Sequence, residues 1–339
     1  MQVVKKPVGK ANTSYQNPVL NADFPDPSVL LATDGYYYSY ATQTRRAGQI
    51  VNFQVARSNN LVDWEYLGDA MPEKPVWAAS SQRFWAPDVS RHPDGRYLMY
   101  FSAQPNNPQA GLCLGVAVAK RPEGPFRDVG QPLLAGGKGF ENIDPMRFVE
   151  SGSGQQLLFW GSGFGPLRVR ELAADGLSFV PGSETRQLVQ PRTDATPYGR
   201  LIEGSWVHYR QGWYYLFYSG DNCCGPSARY GILVARSRHP AGPYQTLAQA
   251  TGTAGTILTE NERWQAPGHN CLVTDADGQD WLLYHAIDRQ QPTFDAINDE
   301  QGYSRRVMLL DRLRYDADGW PHMDTPSTGP TPGPVVSRG

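Results

Sequence analysis

One type of segment recurs through the chain, a glycine-bearing turn followed by an aromatic strand. It reads "DGYYYSY" from Asp34, "DGRYLMY" from Asp94, "GQQLLFW" from Gly154, "GWYYLFY" from Gly212 and "GQDWLLY" from Gly278. The positions Tyr37, Tyr97, Leu157, Tyr215 and Trp281 lie 60, 60, 58 and 66 residues apart. Each is followed by a second strand with a turn-rich tail, such as "VARSNNLVDWE" and "VARSRHPAGPY". Such a unit cannot bury its apolar face alone, so repeated copies must pack on one another. Five copies span residues 26–321. Short aromatic and β-branched strands broken by Gly, Pro, Asn and Asp, with no sustained helical periodicity, predict an all-β chain folded as a five-bladed β-propeller. The propeller is expected over residues 15–325, after an N-terminal extension 1–14 and before a Pro/Gly-rich flexible tail 326–339.

Composition narrows the partners. Among 339 residues the net charge is -2, 19% are charged and no basic stripe occurs, which argues against nucleic acid or an anionic membrane as partner. Eighteen Tyr, 9 Trp and 12 Phe suit both a β core and a surface on which sugar rings stack. The first residues carry basic side chains without an apolar signal core, and no apolar run approaches the roughly 18 residues of a membrane helix. A soluble protein is expected, either cytoplasmic or secreted with its signal trimmed, with secretion the favoured reading. The four cysteines, Cys113, Cys223, Cys224 and Cys271, lack zinc spacing, and the adjacent Cys223–Cys224 pair is either two thiols or a vicinal disulfide.

In a propeller the innermost strand of each blade starts near the axis, so residues just ahead of each aromatic strand converge. Those residues are Asp26 in "PDPSV", Asp88 in "APDVS", Asp144 in "IDPMRF", Glu203 in "IEGSWV" and His269 in "GHNCLV". Proline on both sides of Asp26 fixes its backbone and aims its side chain in one direction. Four carboxylates crowded at one mouth repel one another and push their pKa values apart, an arrangement of use to acid–base chemistry.

With "NPVLNADFPDPSV", "FWAPDV", "IDPMRF", "IEGSW", "GHN" and "SRRVMLLDRLRYDADGWP" in that order, the chain resembles the glycoside hydrolases of family 43, five-bladed propellers that remove arabinose or xylose from plant polysaccharides. The resemblance covers about residues 15–321. It implies Asp26 as general base, Glu203 as general acid and Asp144 as the carboxylate that tunes and orients the acid. An inverting glycosidase needs such a pair, one carboxylate to deprotonate water and one protonated acid for the leaving oxygen. Asp88 and Asp23 fall outside this set. The resemblance further implies Arg306, or its neighbour Arg305, as a sugar ligand, Trp85 as a stacking platform and His269 as the ligand of an axial calcium, with His285 the second candidate for that place. Calcium prefers oxygen ligands, so one histidine alone is a poor site for it. The expected activity is exo-acting, inverting release of L-arabinose from α-L-arabinofuranosides of arabinan or arabinoxylan, the plant cell-wall partner. β-Xylosidase and endo-arabinanase stand as alternatives in the same family, and a non-catalytic glycan-binding propeller stands outside it. Oligomeric state is left open.

Overall fold

The computed structural model describes residues 14–192, 197–292 and 305–336. Over these residues five antiparallel sheets follow one another around an axis, as the repeat predicts. Blade 1 is Ser28–Leu31, Tyr37–Ala41, Gln54–Ser58 and Glu65–Asp69. Blade 2 is Phe84–Arg91, Tyr97–Ala103, Cys113–Ala119 and Arg127–Asp128. Blade 3 is Met146–Val149, Gln156–Trp160, Arg168–Leu172 and Arg186–Gln187. Blade 4 is Ile202–Arg210, Trp213–Asn222, Arg229–Ser237 and Gln245–Thr246, with Thr256–Leu258 added to its third strand. Blade 5 is Trp264–Thr274, Asp280–Asp288 and Arg306–Arg312.

The aromatic anchors of the repeat are the second strands, and those of blades 1, 2, 3 and 5 are buried along their whole length. Strands covered on both faces favour apolar residues at successive positions rather than alternation, which is why they read as largely aromatic and aliphatic runs. Their rings fill the space between blades. Phe53, Phe84 and Phe101 form one such cluster, with ring centroids 5.3 to 6.4 Å apart. Each ring removed from water contributes about 1.5–3 kcal/mol.

Blade 5 has three strands of its own, and the N-terminal segment supplies the fourth place. Val19 and Leu20 donate their N–H groups to Met308 O, Met308 returns one to Leu20 O, and Phe24 donates to Arg306 O. The Asn17 side chain donates to Leu310 O and accepts the Leu310 N–H, so "NPVLNADF" is the clasp that closes the ring. The residues beyond it are clasped as well. Tyr15 pairs with Thr331, Asn17 donates to Ser327 Oγ, and the Val335 N–H donates to Asp275 Oδ2. Over 326–336 the chain is therefore docked where a flexible tail is expected, because the residues between its prolines keep N–H groups free to pair. Residues 1–13 and 337–339 lie outside the described residues.

At or just ahead of each inner strand a left-handed residue stands close to the axis: Asp26 (φ 56°), Ala86 (47°), Asp144 (59°), Gly204 (65°) and His269 (48°), with Ala266 (51°) a second in blade 5. Outside glycine this conformation costs about 1–2 kcal/mol. Every one of the five donates its N–H to a side chain of the preceding blade. Asp26 donates to His285 Nδ1, Ala86 to Thr42 Oγ1, Asp144 to Ser102 Oγ, Gly204 to Asp144 Oδ2 and His269 to Ser219 Oγ, at 2.8 to 3.1 Å. A buried hydrogen bond returns about 0.5–1.5 kcal/mol, so the bonds offset much of the strain and lock neighbouring blades in register.

Candidate active site

Three of the left-handed residues are functional candidates, and the kink aims their side chains at the mouth. Asp26 and Asp144 are buried, while Glu203, one residue ahead of Gly204, is half-buried. The repeat alignment equates Asp88 and Glu203 with Asp26 and Asp144. The left-handed positions show otherwise, since Ala86 and Gly204 hold those places. Register breaks between Trp85 and Asp88 and between Glu203 and Trp206 shift the acids along their strands. Asp88 consequently sits two residues deeper and does not join the mouth. Its Oδ2 accepts the Arg147 N–H at 2.8 Å, and burial, partly opposed by that bond, pushes its carboxyl up to about 7.

Asp26 has a partner on each oxygen. Thr42 Oγ1 donates to Oδ2 at 2.5 Å, and Arg306 Nη1 donates to Oδ1 at 2.9 Å. Thr42 Oγ1 accepts the Ala86 N–H, which leaves its own proton for Asp26. Nδ1 of His285 lies 3.3 Å and that of His269 3.5 Å from Oδ1. Burial alone would raise the Asp26 carboxyl, yet the charge of Arg306 above all holds it well below the usual carboxylate range. Both histidines are themselves pushed down, burial first, His285 to about 4. They are neutral near pH 7, so the guanidinium is the charge that keeps Asp26 ionised. Of the two arginines foreseen, Arg306 faces the site, whereas Arg305 bonds Asn21 and Gln291. Asp23 is structural, accepting from Thr44 Oγ1 and the Arg306 N–H.

The acid side is built differently. Ser162 Oγ donates to Glu203 Oε2, and Tyr230 OH donates to Oε1 at 2.7 Å. Tyr230 also stacks on His285, with planes 6° apart and centroids 5.7 Å apart, so one residue joins the acid to a neighbour of the base. The ring lies against Gly268, where an added Cβ would come within 2.0 Å of it. Burial raises the Glu203 carboxyl, with hydrogen bonds from Ser162 and Tyr230 opposing and the Asp26 charge assisting. Burial, then the charges of Glu203 and Asp26, raises Asp144 well above its ordinary value. Carboxyls raised in this way hold protons to a higher pH than exposed ones do. Ser162 Oγ can accept from Glu203 when that acid holds the proton.

Thr42, Ser162 and Tyr230 carry no motif in the sequence reading, and His285 enters it only as a candidate metal ligand. One signal was present: Thr42 and Ser162 follow the last aromatic residue of a second strand by two residues, and Ser102 follows it by one. Trp85 is half-buried and tilted against Phe140 at 6.3 Å, beside Ala86. Phe140 is 54% exposed, so the pair forms an apolar wall reaching out from the mouth. His269 Nδ1 faces Asp26 and Asp144, and among the described residues no group of three or more His, Cys, Asp or Glu stands where it could hold a metal. One imidazole beside an Asp26 already bonded to Thr42 and Arg306 is a poor protein ligand set for calcium, which prefers oxygen. Cys223 and Cys224 are joined by a disulfide, and Cys223 packs against the group around Tyr230. No helix among the described residues is long and apolar enough to cross a membrane.

Comparison with known proteins agrees with this architecture. The family model described as Glycosyl hydrolases family 43 matches residues 15–321. The "Probable arabinan endo-1,5-alpha-L-arabinosidase B" of Aspergillus fumigatus is 32% identical over 301 residues, covering 77% of each chain. The "Beta-D-galactofuranosidase xynD" of Aspergillus niger is 29% identical over 91% of this chain and 84% of its own. A solved structure of a thermostable family-43 glycoside hydrolase superposes with a TM-score of 0.73 at 26% identity, covering 94% of this chain and 99% of its own.

Proposed function

The chain belongs to glycosyl hydrolases family 43, and on that footing we propose that it is an inverting, exo-acting hydrolase of α-L-arabinofuranosides that releases L-arabinose from arabinan-type chains. The observation that carries the chemistry is the opposite tuning of acids around one mouth, Asp26 down and Glu203 with Asp144 up. Asp26, ionised beside Arg306, takes a proton from water. Glu203, holding a proton by virtue of burial, gives one to the departing oxygen. Asp144 binds the Gly204 N–H and so holds the strand that presents Glu203. Proton transfer from positioned groups of this kind supplies roughly 10²- to 10⁴-fold each. Arg306 offers forked donors to sugar hydroxyls as well as to Asp26, and the Trp85–Phe140 wall offers an apolar face for the ring.

The arabinan preference is supported by similarity to the Aspergillus fumigatus protein, whose name also favours a second reading, cleavage within the chain. Incubation with p-nitrophenyl α-L-arabinofuranoside, p-nitrophenyl β-xyloside and linear arabinan separates these. The proposal expects rapid nitrophenol release from the arabinoside and arabinose as the first product from arabinan. Longer oligosaccharides appearing first, with an early fall in viscosity, would replace exo by endo action, and preference for the xyloside would overturn the substrate assignment.

A further inference from the structure

Beneath the carboxylates the axis contains a cavity of about 20 Å³, bordered by Asp26, Asp88, Asp144, Ser205, His269 and Asn270. A space of about this size holds one water if polar partners face it. The blades contribute unequally to its wall. In blades 1 to 3 the left-handed residue is followed by proline, at Pro27, Pro87 and Pro145, which brings neither an N–H nor a polar side chain. In blades 4 and 5 the same place is taken by Ser205 and Asn270. These are 6% and 2% exposed, yet Ser205 Oγ, Asn270 Oδ1 and Asn270 Nδ2 have no hydrogen-bond partner among the described residues. Buried polar atoms are nearly always paired, so three of them bordering one polar cavity point to an occupant that both donates and accepts. A cation could serve the two oxygens but not the Asn270 amide protons. Water serves all three.

We propose that Ser205 and Asn270 form a hydration site on the propeller axis, from which Asp26 draws the water it activates while a sugar closes the mouth. The inference rests on the hydrolytic reading above. In each turnover an O–H bond of water breaks and its proton passes to Asp26. The oxygen bonds the anomeric carbon, and the leaving oxygen takes the proton of Glu203. The site is well placed for this, since Asn270 follows His269, whose Nδ1 is 3.5 Å from Asp26 Oδ1, and Ser205 follows Gly204, which is bonded to Asp144. Ser205 and Asn270 hold the water rather than the sugar and are positioning residues. Asp88 borders the same cavity, and near neutral pH its carboxyl can either donate to or accept from the water.

The test is Asn270→Leu, similar in shape and apolar, beside Ser205→Ala and the smaller polar Asn270→Ser. On p-nitrophenyl α-L-arabinofuranoside, Asn270→Leu is expected to lower kcat by on the order of tenfold or more with KM unchanged, because misplacing one reactant is enough for that. Its melting temperature should change little, since the exchange removes the Asn270 polar atoms together with the water they hold, and replacing both partners of a bond by an apolar group of similar shape is close to neutral. Asn270→Ser should recover much of kcat. Full kcat in folded Asn270→Leu, or a loss that Asn270→Ser does not restore, overturns the proposal. Should Asn270→Leu not fold, Ser205→Ala decides on the same kcat-against-KM criterion. High-resolution diffraction of the wild type provides an arm independent of activity. An ordered water bonded to Ser205 Oγ and Asn270 supports the site, and a dry cavity overturns it. If the wild type cleaves no glycoside, the hydrolytic reading fails, while diffraction still decides on the water.

Discussion

Asp26 and Asp144 share nearly everything that the backbone can give them. Both are left-handed, with φ of 56° and 59°, both precede proline, both are buried, and each donates its N–H to a side chain of the preceding blade. Their carboxyls are nonetheless driven in opposite directions. Arg306, brought in by the last strand of the ring, stands against Asp26, whereas Asp144 has no such cation bonded to it among the described residues and is raised by burial and then by the charge of Glu203 from blade 4. Repeated backbone geometry places the acids, and a single unrepeated neighbour assigns each one its role.

The largest way to break this contrast is to delete its proton transfers while keeping shape. Asp26→Asn and Glu203→Gln should each lower kcat by roughly 10²- to 10⁴-fold with melting temperature retained. A variant keeping a tenth of the wild-type rate contradicts the role assigned to it.

A middle-sized effect comes from removing the neighbour that creates the asymmetry. Arg306 lowers the carboxyls of Asp26, Asp144 and Glu203 alike. In Arg306→Gln all three rise, so the base ionises later and the acid keeps its proton longer. Both limbs of the kcat/KM profile should move to higher pH, with the steepest loss on the acidic side. A profile that keeps its position and merely drops in height would reduce Arg306 to a sugar ligand.

The smallest effect uses Asp88, a carboxyl raised chiefly by burial and outside the proton-transfer pair. Folded Asp88 keeps its proton to about pH 7, whereas the unfolded chain releases it near 3.9. Between those values the folded state binds more protons, so stability falls as pH rises, and the full cost is present above 7. Asp88→Asn, which can still accept the Arg147 N–H, should therefore be more stable than wild type at pH 8 by on the order of 1 kcal/mol or more. The gain should vanish near pH 4. Equal melting shifts at pH 4 and pH 8 would show that Asp88 is not held neutral.

The sequence makes the propeller legible because second strands covered on both faces are largely apolar, and that run repeats. It makes Asp26 and Asp144 legible through the prolines that follow them. Glu203 was found by motif while its register was misread, since a β-bulge is invisible in residue spacing and Gly204, not Glu203, occupies the kink. Ser162 and Tyr230 were missed for another reason. They reach Glu203 from a loop of blade 3 and a third strand of blade 4, and nothing local distinguishes a hydroxyl that will meet a carboxylate. The tail misled because its composition excludes regular structure without excluding docking, and Thr331 and Val335 dock.

The central claim is that Asp26 activates water directly, opposite an acid kept protonated, and product stereochemistry tests it most directly. Proton NMR in the first minutes of hydrolysis of an α-L-arabinofuranoside should show the β-anomer before mutarotation mixes the two, because direct attack by water inverts the anomeric centre. The α-anomer appearing first would mean a covalent glycosyl-enzyme intermediate, and Asp26 would then be a nucleophile rather than a base.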